Sequence, residues 1–264
     1  MKKKTTMTVT DMRCLAEGIY SMKLQYPEWD MPQEVKPGQF AGLYTNDPSK
    51  LLPRPISICR WDPGRGELRF VFRTAGPGTE SLAALRTGDR VDMLGILGNG
   101  YDPEKLSGKR VLLLGGGIGI PPMVELAAVL SKLPGTEVTA VMGYRDSDLF
   151  LTKELSACAR LLIATEDGSV GTKGNVLDAV RENDVRADVI CACGPMPMLR
   201  AVKKYAAGSG VPAYISLEER MACGVGACLG CVTKTAKVDE HSHVHNARIC
   251  TEGPVFEAGE VEIG

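Results

Sequence analysis

Four cysteines near the carboxyl end of the chain constrain its fold more than any other feature. Three of them, Cys223, Cys228 and Cys231, follow the spacing C-x4-C-x2-C, and the fourth, Cys250, comes much later. From about Ala213 onward most residues are glycine, cysteine or polar, with too few large apolar side chains for an independent core. Something other than apolar burial must therefore hold this tail together, and the cysteines are the groups able to do it.

The spacing of these cysteines is that of the ligands of plant-type [2Fe-2S] clusters. Two irons and two sulfides need four thiolates that converge from a tight loop, and Gly224, Gly226 and Gly230 let the backbone turn around them. A structural zinc site is the alternative, but zinc ligands usually come as two closely paired couples, whereas three of these cysteines crowd one loop. Rieske-type ligation needs cysteine–histidine pairs, which this sequence does not offer. We therefore expect the metal ligands to be Cys223, Cys228, Cys231 and Cys250.

The other histidines and cysteines are expected to be structural. His241, His243 and His245 alternate as they would on one solvated face of a strand, and four thiolates already complete a cluster. Four further thiols lie in predicted strands or helices among apolar neighbours, where a free cysteine behaves as a small hydrophobic residue: Cys14, Cys59, Cys158 and Cys191.

Composition and charge exclude several classes of protein. The chain is 44% hydrophobic and 24% charged, which is typical of a globular protein, and its net charge of −1 leaves no broad basic surface for nucleic acid or anionic lipid. Residues 5–10 are polar where the apolar core of a secretory signal would lie, so we expect a cytoplasmic protein with reduced thiols. The longest apolar stretch, from Val111, is broken at 115–119 and again at Pro121, which predicts no membrane span.

The chain divides into three modules in series. Up to residue 106, short alternating or aromatic-rich runs at 7–10, 39–44, 56–60, 67–73 and 90–94 are separated by glycine and proline turns, which predicts antiparallel strands in a barrel or a sandwich. From 107 to 212 the pattern predicts strands at 109–114, 137–142, 161–164 and 188–193 and helices at 122–132, 176–181 and 196–206. This βαβ rhythm predicts a parallel sheet. Residues 213–264 are the cysteine-bearing tail.

A glycine turn follows the first strand of the second module. Residues 112–122 read LLLGGGIGIPP, a strand, a turn and a helix start, which is the arrangement that aims backbone N–H groups at a pyrophosphate. A tight structural turn is the alternative, since the pattern is G-x-G-x-x-P rather than G-x-G-x-x-G. A second loop ends the last strand at the carboxyl edge of the sheet, where such folds bind ligands. The predicted dinucleotide-binding residues are Gly117, Gly119, Cys193, Gly194 and Pro195.

The sequence leaves the preference between NADH and NADPH open. An acidic residue past the glycine turn would favour NADH and an arginine would favour NADPH. The second strand of the sheet is followed by both, as Arg145 and Asp146.

Two segments of the first module suit a phosphate-bearing ligand. Residues 54–57 read RPIS and begin a strand, where the arginine fork can bind a diphosphate and the serine can bond a ring heteroatom. Residues 71–79 read VFRTAGPGT, a strand that meets a glycine loop and then a helix. Neither segment identifies a ligand alone.

The order of these motifs is similar to that of the ferredoxin-reductase superfamily. Residues 97–100 (LGNG), 115–123 (GGGIGIPPM), 216–231 (SLEERMACGVGACLGC) and 248–256 (RICTEGPVF) further resemble the electron-transfer subunits of class B, NAD-dependent dihydroorotate dehydrogenases, over nearly the whole chain. The resemblance implies an antiparallel β-barrel FAD domain at 1–106, an α/β parallel-sheet NAD-binding domain at 107–212 and a small [2Fe-2S] domain at 213–264. It also implies the FAD-binding residues Arg54, Pro55, Ile56, Ser57, Val71, Phe72, Arg73, Gly78 and Thr79.

The same resemblance implies a function. Nicotinamides give up two electrons as hydride and clusters accept one at a time, so a flavin must stand between them. Electrons would then pass to FMN in a separate catalytic subunit that converts dihydroorotate to orotate in pyrimidine biosynthesis, within a heterotetramer of two copies of each chain. Two alternatives remain: an NAD(P)H-oxidising subunit of a hydrogenase, sulfide dehydrogenase or ferredoxin:NADP oxidoreductase, and a redox sensor that is not an enzyme.

Overall fold

The computed structural model describes residues 3–236, 238 and 243–263. Its strands, in chain order, are β1 (Lys4–Ala16), β2 (Ile19–Gln25), β3 (Phe40–Leu43), β4 (Arg54–Asp62), β5 (Glu67–Arg73), β6 (Arg90–Leu97), β7 (Arg110–Gly116), β8 (Glu137–Tyr144), β9 (Arg160–Thr165), β10 (Thr172–Lys173), β11 (Val189–Cys193), β12 (Ala213–Ser216), β13 (Val232–Thr235), β14 (Asn246–Arg248), β15 (Val255–Glu257) and β16 (Val261–Glu262). Its helices are α1 (Pro77–Ala83), α2 (Pro103–Leu106), α3 (Ile120–Leu130), α4 (Thr152–Ser156), α5 (Val176–Glu182) and α6 (Met196–Ser209). Short 3-10 turns cover Glu28–Asp30 and Gly117–Gly119.

Strands β1 to β6 close into an antiparallel barrel in the order β1-β2-β5-β4-β3-β6. Alternation along β1 turns Met7 and Val9 inward, where they pack with Leu24 of β2 and Phe70 of β5. Closure leaves no strand edge unpaired. The prediction of an antiparallel β-barrel for the first module is confirmed. The sequence did not predict β2, since its buried Ser21 interrupts the apolar alternation.

The second module is a sheet in the order β10-β9-β8-β7-β11-β12-β15. Its neighbouring strands run parallel, except that β15 is antiparallel to β12. On β7, Val111 and Leu113 pack with α3, whereas Leu112 and Leu114 pack with α5 and α6. A strand that is apolar on both faces therefore lies between two layers of helices, which confirms the predicted α/β parallel sheet.

The tail depends on the second module for its core. Strands β12 and β15 extend the parallel sheet, and β14, β13 and β16 form a small sheet in that order. Ile249, Phe256 and Val261 are buried in the same apolar cluster as Leu112 of β7. This agrees with the expectation that the tail is too poor in apolar residues for a core of its own. The proposed domain limits at 106/107 and 212/213 stay a prediction.

Polar contacts fix the barrel against the second module. The carboxylate of Glu125, on α3, accepts a hydrogen bond from the main-chain N–H of Trp61 on β4 at 3.2 Å. The guanidinium of Arg69 on β5 pairs with Glu154 of α4 at 3.0 Å. In the described part of the chain, no helix has the length and the apolar run that crossing a membrane would require.

Two minor expectations need correction. Cys14 is exposed on β1 rather than packed among apolar neighbours, whereas Cys59 and Cys191 are buried as expected. His243 and His245 are exposed in a bend that precedes β14, not on a strand face. His241 lies outside the described residues.

Candidate functional site

A cleft of about 890 Å³ opens between the barrel and the parallel sheet. It lies where β4 begins and β5 ends, because these two antiparallel neighbours meet at the same end of the barrel. A mostly apolar wall with a few convergent polar groups is typical of a cofactor site. Seven of the residues predicted to bind FAD line it: Arg54, Pro55, Ile56, Ser57, Val71, Phe72 and Arg73.

The two other residues predicted to bind FAD stand beside Arg54. A Cβ atom on Gly78 would lie 2.0 Å from Arg54 Nε, so glycine is needed for the guanidinium to cross the first turn of α1. The hydroxyl of Thr79 accepts a hydrogen bond from the N–H of Ala75 at 2.8 Å and fixes the loop before that helix. No carboxylate in the described residues pairs with Arg54, whose recorded bonds go to main-chain carbonyls of its own loop. An uncompensated guanidinium at the rim of a cleft fits a diphosphate.

The parallel register of β7 and β11 brings the two predicted dinucleotide loops together. Gly115 of β7 lies opposite Cys193 of β11, so the loops leave the sheet side by side. A Cβ atom on Gly119 would lie only 2.3 Å from the carbonyl oxygen of Cys193. The ring of Pro195 packs on Gly116, because a Cβ atom on Gly116 would lie 3.2 Å from Pro195 Cδ. Gly117, Gly119, Cys193, Gly194 and Pro195 therefore share one edge of the sheet, as predicted from the sequence.

Arg73 connects this edge to the cleft. Its Nη2 atom lies 3.3 Å from the would-be Cβ of Gly117. Glu218, which follows β12, faces Arg73 across the cleft. Glu218 reaches solvent through the open cleft, but the surrounding protein raises the pKa of its carboxyl, an effect that the positive charge of Arg73 partly offsets.

Sequence reasoning missed one wall of the cleft. It is formed by Ser216, Leu217, Glu218, Glu219, Arg220 and Met221, with Ile118 and Pro254 nearby. The sequence did contain a signal for this wall, because the segment lies directly between the last parallel strand and Cys223, the first predicted cluster ligand. Cys223 follows Met221 by two residues, so the Cα atoms of these residues are at most about 7 Å apart.

The four predicted ligands come together as two pairs. The side chains of Cys223 and Cys228 interact closely enough to affect the pKa of Cys223, and those of Cys231 and Cys250 affect the pKa of Cys250 in the same way. Cys231 and Cys250 are buried, whereas Cys228 is exposed. Among the described residues, no three His, Cys, Asp or Glu side chains converge on one point as a mononuclear metal requires. Paired thiols suit two irons that take two thiolates each.

The backbone of the ligand loop favours ionised sulfur. Burial raises the pKa of the Cys223 thiol, but hydrogen bonds from the N–H groups of Val225 and Cys228 outweigh burial and lower it to about 6. Each N–H lies 3.4 Å from Cys223 Sγ. Burial and the neighbouring Cys231 raise the pKa of Cys250 to about 11. Backbone N–H groups aimed at sulfur are also what stabilises a bound cluster.

Comparison with known proteins decides the family. Residues 218–262 match the iron–sulfur cluster binding domain of dihydroorotate dehydrogenase B, and residues 113–204 match the oxidoreductase NAD-binding domain. The dihydroorotate dehydrogenase B (NAD(+)) electron transfer subunit of Bacillus pumilus is 42% identical over 264 residues, 99% of either chain. That of Streptococcus mutans is 40% identical over 261 residues, 98% of either chain. The chain belongs to this family of electron transfer subunits. The resemblance predicted from the sequence is thereby confirmed.

Solved structures of ferredoxin-linked reductases share the fold of this chain. An NADH-dependent reduced ferredoxin–NADP oxidoreductase superimposes with a TM-score of 0.85 at 27% identity and covers 97% of this electron transfer subunit and 89% of its own chain. The ferredoxin reductase of carbazole 1,9a-dioxygenase has a TM-score of 0.70 at 21% identity, covering 81% and 69% of the two chains, and supports the fold alone. All four predicted ligands lie inside the matched iron–sulfur domain.

Proposed function

We propose that this chain carries electrons between NAD(H) and the FMN of a dihydroorotate dehydrogenase catalytic subunit, through FAD and a [2Fe-2S] cluster. The proposal rests on the position of the cleft, whose lining residues are near neighbours of the cysteines in the chain. Met221 lines the cleft two residues before Cys223, and Pro254 lines it four residues after Cys250. A flavin, when bound, accepts hydride from a nicotinamide and releases its electrons singly. The chain holds the sites for donor, flavin and cluster next to one another.

The cleft fits FAD in size and in chemistry, since cofactor sites typically measure ~300–1,000 Å³. We assign the diphosphate to Arg54, with Gly78 and Thr79 shaping the loop beneath it. The flavin ring would lie against Ile56 and Ser57 on β4, and against Val71, Phe72 and Arg73 on β5. Pro55 holds the start of β4 in an extended conformation.

The nicotinamide site lies at the adjoining edge of the sheet. Gly117 and Gly119 would face the pyrophosphate, since their loop leads into the N-terminus of α3, where helical N–H groups lack partners within the helix. Ile118, between these glycines, lines the same cleft as the flavin residues. The other side of this proposed nicotinamide site is formed by Cys193, Gly194 and Pro195. The names of the relatives specify NAD(+), and we propose NADH as the donor here.

The exposed side of the cluster loop is the proposed exit for electrons. Val225 and Leu229 are 38% and 62% exposed beside the exposed proposed ligand Cys228. Leu229 has φ 56°, a left-handed conformation that costs a leucine roughly 1–2 kcal/mol. An exposed apolar side chain held in an unfavourable conformation next to a ligand suits contact with a partner subunit.

The remaining features of the assembly follow from the family. The catalytic partner converts dihydroorotate to orotate in pyrimidine biosynthesis, and we expect two copies of each chain in a cytoplasmic heterotetramer. The sites that we assign within the described residues serve a dinucleotide, a flavin and a cluster, and we place the orotate site in the catalytic partner.

Anaerobic titration with NADH tests the proposal. The purified chain should lose flavin absorbance and then cluster absorbance, and the reduced cluster should give an EPR signal. A redox sensor without a nicotinamide site would not respond to NADH.

The structural similarity to the ferredoxin–NADP oxidoreductase makes that enzyme class the second candidate. Recovery of an FMN-containing catalytic subunit in a pull-down supports the dihydroorotate branch, whereas recovery of a different reductase subunit overturns it.

A further inference from the structure

One barrel residue fastens the loop that carries Cys250. Asn99 follows β6, and its side-chain amide donates to the carbonyl oxygens of Thr251 at 2.9 Å and Glu252 at 3.2 Å. The main-chain N–H of Asn99 donates to the carbonyl of Gly253 at 2.6 Å. Three consecutive residues after a predicted cluster ligand are thus bonded to a single residue more than 150 positions earlier in the chain.

The backbone around Asn99 is shaped for this approach. Gly98 has φ 74°, and a Cβ atom there would lie 2.6 Å from Pro254 Cδ and 2.9 Å from the carbonyl oxygen of Gly253. Only glycine leaves room for the two segments to touch. Pro254 in turn lines the flavin cleft. The loop therefore runs from Cys250, across Asn99, into the wall of the cleft.

The loop is also tied to the other ligands. The guanidinium of Arg248 pairs with Glu252, with Nη2 and Oε1 2.6 Å apart, and the main-chain N–H of Arg248 donates to the same carboxylate at 2.6 Å. Arg248 Nη1 donates to the carbonyl of Gly226, in the first ligand loop, at 3.4 Å. Residues 248–252 are therefore tied to one another by these bonds, and anchoring one end of this segment anchors Cys250.

We propose that Asn99 is a positioning residue that holds the Cys250 loop against the flavin cleft and so fixes the geometry between the cleft and the cluster ligands. The inference rests on the proposed role of Cys250 as a ligand. Electron transfer slows steeply as the distance between two redox groups grows. A loop that carries both a ligand and part of the cleft wall must therefore be held still, and Asn99 supplies the bonds that hold it.

Two substitutions and one matched control test the inference. Asn99→Asp keeps the shape but directs a carboxylate at two carbonyl oxygens, and Asn99→Ala removes the donor. Asn46→Ala is the control, because Asn46 is another exposed barrel asparagine whose amide donates to a main-chain carbonyl, that of Arg90 at the opposite end of β6. The measurements are FAD content, the rate of iron release to a chelator, the melting temperature and the EPR signal of the chemically reduced cluster.

Both Asn99 variants should keep wild-type FAD content, release iron about tenfold faster and show shifted EPR g values, because one or two hydrogen bonds to the loop are lost. The Asn46→Ala protein should match wild type in each measurement. Wild-type iron release and EPR in both Asn99 variants overturn the inference. A parallel loss of FAD, iron and melting temperature, or failure of both variants to fold, shows a general structural role and also overturns it. If one of the two Asn99 variants fails to fold, the measurements on the other variant test the inference. A wild-type protein without a cluster refutes the proposed function itself.

Discussion

The four cysteines occupy different environments, and this difference determines what each can do. Cys231 and Cys250 are buried towards the core that the tail shares with the parallel sheet. Cys228 is exposed, and Cys223 receives backbone N–H groups that favour its thiolate. A cluster held by these residues would have one protected side and one side open to a partner. The loop geometry, rather than apolar burial, holds Cys223 and Cys228 in place.

Replacing any one of the four ligands should abolish the cluster. We expect Cys228→Ser to fold but to purify with little or no iron, because a hydroxyl is a poor substitute for a thiolate ligand. Cys158→Ser is the matched control, since Cys158 is a half-buried thiol outside the matched iron–sulfur domain. Iron quantification and the visible spectrum decide the matter. Wild-type iron content in the Cys228→Ser protein would show that this residue is not a ligand.

Arg54 should contribute to FAD retention. Arg54→Ala removes the guanidinium at the rim of the cleft, and a hydrogen bond to a charged group is worth about 1.5–3 kcal/mol, so the Kd for FAD should rise roughly ten- to hundredfold. Arg65→Ala is the control, because Arg65 lies in the exposed turn between β4 and β5 and pairs with Asp62. Equilibrium dialysis measures both. An unchanged Kd in the Arg54 variant removes this residue from the proposed site.

Residues whose chemistry depends on local spacing were predictable from the sequence. The proposed ligand set is one example: it stays a prediction for the individual cysteines, and it was drawn from the spacing because a [2Fe-2S] cluster fixes the separation of three of its four ligands. Glu218 and Asn99 were not predictable, because their partners lie far away in the chain: Arg73 for the first and residues 251–253 for the second. Such contacts leave no periodic trace in a single sequence.

At the scale of elements, a strong apolar pattern made the parallel strands predictable from the sequence. Strands with a weak apolar pattern were not predicted. Strand β7 is continuously apolar and was placed to within two residues at either end. Strand β2 was missed because Ser21 is buried, where its hydroxyl accepts a hydrogen bond from Arg69 at 2.8 Å. Strand β15 has three residues and exists only because β12 offers an edge. Tertiary pairing, rather than local preference, determines it.

The contact between α3 and β4 contains a buried acid that makes the stability of the protein depend on pH. Burial raises the pKa of Glu125, and the positive charge of Arg60 with the N–H of Trp61 offsets only part of this effect. The folded protein therefore holds this proton more tightly than the unfolded chain, whose ordinary value is 4.5. The contribution of Glu125 to stability is then fully present below that value and is lost as the pH rises through the raised pKa.

Glu125→Gln should reveal this dependence. Glutamine keeps the shape and an acceptor for the N–H of Trp61 but carries no charge. We expect the free energy of unfolding of the variant, relative to wild type, to increase as the pH rises above the ordinary glutamate value of 4.5, because only the wild-type protein then loses the contribution of the raised pKa. Urea denaturation at several pH values measures it. Glu182→Gln, at the exposed end of α5, is the control variant, and a difference that stays flat with pH for Glu125→Gln would contradict the assignment.

At the scale of the whole molecule, the three modules form one continuous path. The dinucleotide edge adjoins the cleft through Ile118, and the cleft adjoins the ligands through Met221 and Pro254. The path ends at the exposed loop that bears Val225 and Leu229. The proposed sites therefore follow one another from the edge of the parallel sheet to an outer surface, which is the arrangement that a subunit feeding electrons to a partner requires.

The isolated chain should oxidise NADH with artificial dyes but should not convert dihydroorotate, because its proposed sites serve a dinucleotide, a flavin and a cluster. Addition of the FMN-containing catalytic subunit should restore NADH-linked orotate chemistry.

A lysine at Val225 or Leu229 should impair this coupled reaction by placing a charge in the docking face, while the NADH-to-dye rate stays unchanged. Ala207→Lys, on the exposed end of α6, is the control and should leave both rates unchanged. Steady-state assays of each variant with and without the partner make the comparison. Dihydroorotate oxidation by the chain alone would overturn the assignment, as would the absence of any gain from the partner, whereas full coupled activity in the Leu229→Lys protein would place the docking face elsewhere on the molecule.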